Sequence, residues 1–117
     1  KKRTYGFLML KKEFRLNSFS LTDPKQFSSV FFNVKTVKNG KELNRFAFVV
    51  SKKTDARATH RNSLKRKVRS CIEEIFDNIK TGNDFIFYPK KQTEEADRDL
   101  VFQEINKFFK KANLLKK

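Results

Sequence analysis

The chain has 117 residues, with 28 Lys and Arg against 13 Asp and Glu, for a formal net charge of +15. That length supports one domain around one core, and the charge excess points to a polyanion, either nucleic acid or an anionic membrane surface. A single cysteine, Cys71, excludes an internal disulfide and fits a reducing cytoplasm, and no apolar run approaches the roughly 18 to 20 residues of a membrane span.

In chain order, Tyr5 to Leu10 is a short apolar run after three basic residues. Lys11, Lys12 and Glu13 interrupt it without a small-residue cleavage site, so it reads as a strand, not a signal peptide. Ser28 to Val37 alternates Val30, Phe32 and Val34 against Asn33 and Lys35, a strand pattern. Asn39-Gly40 marks a hairpin turn, because both central residues tolerate positive φ, and Arg45 to Ser51 is its returning strand. A helix is predicted from about Thr59, as N-cap, to Lys80. Leu64, Val68, Cys71, Ile72, Ile75, Phe76 and Ile79 recur at helical spacing, and Gly82 suits a left-handed C-cap. Cys71 falls on this stripe and reads as a small core residue. Asp84 to Tyr88 is apolar on both faces, as a covered strand is, and Pro89 closes it. A last helix begins after Thr93, with Glu94, Glu95 and Asp97 at its positive end. Val101, Ile105, Phe108, Phe109, Ala112 and Leu115 form its apolar stripe. Strand, strand, helix, strand, helix describes an α+β domain, a small mixed β-sheet packed with helices.

The charge is local. Between Lys52 and Arg69 lie eight basic residues and one acid, Asp55, a net +7. With Leu64 as origin and about 100° per residue, Lys65, Arg69, Asn62 and Arg66 fall at about 100°, 140°, 160° and 200°. They share one arc beside the core stripe, whereas Lys67 falls at about 300°, on the opposite flank. Arg61 belongs to the first turn. A merely solvated face would interleave acids for i,i+4 pairing, but no acid interrupts this arc before Glu73. Asn62 adds donors and an acceptor that fix register on a phosphate or base edge.

No protein-borne active site is legible. His60 is the sole histidine, and Arg61 is its neighbour in sequence. Cys71 is too far along the helix to pair with it. No metal-ligand spacing or Gly-rich phosphate loop is present. Glu73-Glu74 and Glu94-Glu95 are adjacent pairs, which on a helix do not face one another.

Val49 to Lys53, VVSKK, then Ala58-Thr59, then Arg61 to Arg69, RNSLKRKVR, together resemble the bacterial ribonuclease P protein subunit. The family signature is a strand ending in Ser-Lys-Lys, then a helix bearing Arg-Asn, Lys-Arg and a further Arg; Arg61, Asn62, Lys65, Arg66 and Arg69 match it. NDFIFYPKK at 83–91 and KKANLL at 110–115 are similar to the family's next strand and last helix. The resemblance spans residues 43–115. It implies a single domain over 1–117 with a split βαβ unit and a left-handed crossover, and the family's N-terminal helix is shortened or replaced within residues 1–27. It also implies an enzyme, an endoribonuclease that removes the 5′ leader of precursor tRNA, with the chemistry carried by a catalytic RNA subunit holding Mg²⁺. The partners implied are ribonuclease P RNA and precursor tRNA, in the cytoplasm, with no membrane and no obligate protein partner. The resemblance assigns Arg61, Asn62, Lys65, Arg66 and Arg69 to the RNA subunit. It assigns Ser51, Lys52 and Lys53 to the tRNA leader, with Phe31, Phe32, Phe46 and Phe48 as stacking surfaces. The alternative reading is a non-catalytic structural RNA-binding protein such as a ribosomal protein.

Overall fold

A computed structural model describes residues 12–17 and 20–116. The run from Tyr5 to Leu10 lies outside the described residues. The elements in order are β1 (Lys25–Ser28), β2 (Phe32–Lys38), β3 (Arg45–Phe48), α1 (Ala58–Glu74), β4 (Asn83–Pro89) and α2 (Arg98–Lys111), with short 3-10 turns at Lys12–Phe14, Phe76–Asn78 and Lys91–Thr93.

The four strands form one sheet in the order β1-β2-β4-β3. β1 and β2 are antiparallel, as are β2 and β4, while β3 and β4 run parallel. β4 occupies the centre because nearly every residue of it is buried, which only a strand covered on both faces tolerates. This corrects the hairpin expected at Asn39-Gly40: β2 and β3 are not neighbours, since β4 inserts between them. The turn chemistry itself is present. Gly40 has φ +71, and Asn39 Oδ1 accepts from Lys41 N at 2.7 Å. Its chain then passes over the end of β4, where Asn39 Nδ2 donates to Asp84 Oδ1 at 2.8 Å.

Asp84 also fixes β3. Arg45 Nε and Nη2 donate to its two carboxylate oxygens at 2.9 and 2.8 Å, a two-pronged pair between residues in direct register. At the far edge, Arg15 bridges Phe46 and Leu16 N donates to Phe46 O at 2.9 Å, so the N-terminal segment continues the sheet beyond β3.

Side chains alternate across the sheet. Phe32, Val34, Phe46, Phe85 and Phe87 face α1 and α2, where they meet Val68, Cys71, Ile72, Val101, Ile105, Phe108 and Phe109. Phe85 stacks on Phe46 at 5.0 Å between ring centroids and meets Phe109 edge-on at 5.5 Å. On the opposite face, Leu16 and Leu21 pack with Ala47, Ile86, Val49 and Tyr88.

Both helix boundaries shift from expectation. α1 starts at Ala58, with Arg57 in the cap position and no side-chain cap; it ends at Glu74, and a 3-10 turn follows. Gly82, at φ +99, therefore serves the turn into β4 and not the helix end. α2 starts at Arg98 and is capped by the Asp97 side chain, which accepts from Asp99 N. Glu94 and Glu95 precede the helix, which frees Glu94 for the contacts described below.

Candidate nucleic-acid interface

α1 follows the loop after β3 and buries Leu64, Val68, Cys71 and Ile72 against the sheet. Its remaining residues divide as the helical phase requires. Asn62 and Arg66 are exposed, and Lys65 is half-buried; none of the three has an ion-pair or side-chain hydrogen-bond partner among the described residues. Arg69 is half-buried and lies 3.6 Å from Glu73 through Nε, a loose i,i+4 contact. Burial pushes the Glu73 carboxyl above its ordinary value, the strongest influence on it, and its Oε2 has no hydrogen-bond partner. Arg61 turns inward instead: its Nη1 donates to the carbonyls of Asp55 and Ala56 at 3.1 and 2.9 Å. It thus ties down the preceding loop while keeping further guanidinium donors in reserve.

Lys67 is on the other flank and is fully engaged. Its Nζ donates to the carbonyls of Thr93, Glu94 and Ala96 at 3.0, 3.2 and 2.9 Å. His60, on the same flank, brings Nδ1 within 2.7 Å of Glu94 Oε2 and 3.5 Å of Asp55 Oδ2. The sequence suggests Arg61 as its electrostatic neighbour; the fold gives it two carboxylates instead, because the Arg61 guanidinium points to the loop.

Asp55 is the hub of this cluster. Arg57 grips both its oxygens through Nε and Nη2 at 3.1 Å, and Lys91 Nζ reaches it at 2.5 Å. Arg57, then Lys91, hold its carboxyl far below the usual carboxylate range. Lys91, then His60, lower Glu94 in the same direction. Asp55, His60 and Glu94 offer ligand atoms within 4.8 Å of one another. Their oxygens are already neutralised by Arg57 and Lys91, so the donor set does not fit Mg²⁺, which demands free oxygens in octahedral array. The network instead staples the loop after β3 to the loop before α2.

That staple positions Ser51, Lys52 and Lys53. Ser51 O accepts from Thr54 N and Asp55 N at 3.1 and 3.3 Å, folding a tight turn that leaves Lys52 and Lys53 exposed. The turn follows β3, so it sits at the end of the sheet where β4 closes with Tyr88 and Pro89 and β2 opens with Phe32, the partner of Pro89.

The aromatic assignments need correction. Phe32 and Phe46 are 1% and 3% exposed, on the helix-facing side of the sheet, so neither offers a ring to a ligand. Phe31 and Phe48 are half-buried and pack against the same core. The face turned away from the helices carries Gln26, Ser28, Asn33, Lys35 and Tyr88, which border a shallow depression. Lys35 Nζ lies 5.6 Å from the centre of the Tyr88 ring. Asn33 and Lys35 were visible as the polar phase of the β2 alternation. Tyr88 was hidden in a strand apolar on both faces.

A small α+β domain, with one helix presenting cations and an amide on a single arc, belongs to the class of polyanion-binding domains. The family model for Ribonuclease P matches residues 8–113. The chain is 34% identical over 93 residues to the ribonuclease P protein component of Fusobacterium nucleatum, covering 76% of this chain and 79% of that one. It is 33% identical over 110 residues to that of Thermotoga petrophila, covering 92% of each. The solved RNase P protein from Thermotoga maritima superposes with a TM-score of 0.68 at 29% identity, over 76% of this chain and 84% of that one. A mutant RNase P protein of Staphylococcus aureus shares the fold, with a TM-score of 0.78 at 19% identity over 97% and 100%. The chain belongs to the ribonuclease P protein family, the protein component of the enzyme that processes tRNA.

Proposed function

We propose that the outer arc of α1 binds the catalytic RNA subunit of ribonuclease P, and that the outer sheet face with the Ser51–Lys53 turn receives the 5′ leader of precursor tRNA. The observation that carries this reading is the division of α1: Asn62, Lys65 and Arg66 have no partner among the described residues, while Lys67, among them in sequence, is spent on three carbonyls. Unpaired like charges on one arc repel unless a polyanion neutralises them. Arg61 and Arg69 complete the surface, one from the loop and one from its loose contact with Glu73.

Lys52 and Lys53 supply sequence-independent charge to the phosphates of the leader, and Tyr88 with Lys35 supplies a stacking surface on the outer face. This replaces the role assigned to Phe32 and Phe46, which belong to the core. Hydrolysis of the phosphodiester bond is assigned to the RNA subunit with its Mg²⁺; the protein residues bind and orient. A cytoplasmic location suits the free thiol of Cys71. The test is cleavage of precursor tRNA at low Mg²⁺ by the RNA subunit, with and without this chain. Stimulation is the expected result, and equal cleavage in both reactions would overturn the proposal.

A further inference from the structure

A second basic site lies at the opposite end of the sheet. Lys38 pairs in register with Asn83, where β2 ends and β4 begins, a full strand length from Tyr88 and the Ser51–Lys53 turn. Here the sheet and the end of α2 border a half-open cavity of about 710 Å³, lined by Lys25, Lys38, Lys80, Lys111, Thr36 and Asn83 and, over most of its wall, by apolar atoms. That volume is in the range of pockets that hold small ligands. Asp23 is the one acid lining it, so its walls carry a formal net +3. None of the four lysine ammonium groups has an ion-pair partner among the described residues.

Two polar side chains there are also unspent. Thr36 is 6% exposed, and its hydroxyl is buried with no hydrogen-bond partner. Buried polar groups in native structures almost always have partners, and an exception invites a functional reason. Asn83 is 8% exposed; its backbone N–H donates to Asn44 Oδ1 at 2.9 Å, while its side-chain amide has no partner among the described residues. Lysines are compact point charges that accept an anion without demanding a fixed fork geometry. A hydroxyl and an amide beside them add directional hydrogen bonds. Four lining lysines without ion-pair partners among the described residues, an unpartnered hydroxyl and a ligand-sized volume suit a phosphoryl group.

We infer that this cavity is a phosphate-monoester site, separate from the α1 surface, taking the phosphate of a free nucleotide or of an RNA end. The inference does not depend on which RNA α1 binds, because it is tested on the full chain without any RNA subunit. Calorimetric titration with AMP and with inorganic phosphate at low salt and neutral pH reads the site directly, with adenosine as the uncharged control. Lys38 and Lys111 are exposed, so the double variant Lys38→Ser/Lys111→Ser leaves the core untouched. It should lower AMP affinity about tenfold, while Arg66→Ala/Arg69→Ala stays within about twofold of the unmodified chain. Thr36→Val should also weaken AMP without loss of thermal stability. A 5′-phosphorylated oligoribonucleotide that displaces AMP would place an RNA end in the cavity; AMP binding without that competition would place a free nucleotide there. AMP affinity unchanged in Lys38→Ser/Lys111→Ser, an equal loss in Arg66→Ala/Arg69→Ala, or adenosine binding as well as AMP would overturn the inference.

Discussion

Lys67 Nζ donates to the carbonyl of Thr93 at 3.0 Å, across the gap between α1 and the loop before α2. Two further carbonyls of that loop, those of Glu94 and Ala96, complete its donors. One ammonium thus gathers the carbonyls at the end of the 3-10 turn at Lys91–Thr93 and just beyond it. The same turn is anchored from the sheet by Thr93 Oγ1, which donates to Phe31 O at 2.7 Å.

Lys67→Ala should therefore act on stability. Losing one charged donor shared by three half-buried carbonyls costs about 1 to 2 kcal/mol. The urea midpoint should fall accordingly, while the affinity for RNA changes little. A variant of unaltered stability would mean that solvent serves those carbonyls equally well.

Asp84 is 5% exposed and accepts from Arg45 and Asn39 at once. Asp84→Asn keeps the shape but removes the charge and one acceptor facing the guanidinium. The expected loss is about 2 kcal/mol, measured by thermal or urea unfolding. Arg45→Lys should lose part of this as well, because an ammonium cannot make the two-pronged contact.

Acid should weaken the staple between the two loops. Asp55 and Glu94 have folded-state values below their ordinary 3.8 and 4.5, Asp55 chiefly through Arg57 and Glu94 chiefly through Lys91. A carboxyl depressed by folding contributes stability that is present above its unfolded value and lost as pH falls through the folded one. Stability should therefore decline as pH drops below about 4.5. Glu73, raised by burial, works in the opposite sense: its contribution is present in acid and lost as pH rises. Urea midpoints measured from neutral pH down to strong acid should show a shallower decline in Asp55→Asn/Glu94→Gln than in the unmodified chain. Parallel curves would place the acid sensitivity elsewhere.

The outer sheet face can be separated from the core by two substitutions. Tyr88→Ala should reduce affinity for a precursor tRNA with a leader more than for mature tRNA, at the level of one stacked base, about 1 to 3 kcal/mol. Phe46→Ala should instead destabilise the fold by about 3 to 5 kcal/mol, as loss of a buried ring does. Comparison of the two by binding to the assembled enzyme and by unfolding decides whether the leader meets Tyr88 or a ring now in the core.

Local pattern was enough for the arc on α1. Helical phase alone sets Lys67 apart from Arg66, and the carbonyls of residues 93–96 confirm its flank. The burial of β4 was equally legible, since a strand apolar on both faces belongs inside a sheet. The same fact explains why the hairpin at Asn39-Gly40 failed. A turn signal fixes the turn but not the strand partner, and β4, some 40 residues later, takes the place between β2 and β3. β1 was missed because four residues with one half-buried Phe give almost no periodic signal. The Asp55–Lys91–Glu94 network joins residues nearly 40 positions apart, and adjacent Glu94-Glu95 gave no hint that only the first would turn inward. For the phenylalanines, alternation separated two faces without saying which one the helices cover.

The central claim is that the outer arc of α1 grips the RNA subunit while Lys67, on the other flank, serves the fold. Its most direct test is the affinity for ribonuclease P RNA across a range of salt concentrations, for the unmodified chain, Arg66→Ala and Lys67→Ala. The unmodified chain should show a log-log slope of about −3 to −5, with Arg66→Ala shallower by about one and weaker in binding. Lys67→Ala should keep both the slope and the affinity. Equal losses in the two variants, or a slope near zero for the unmodified chain, would contradict the account.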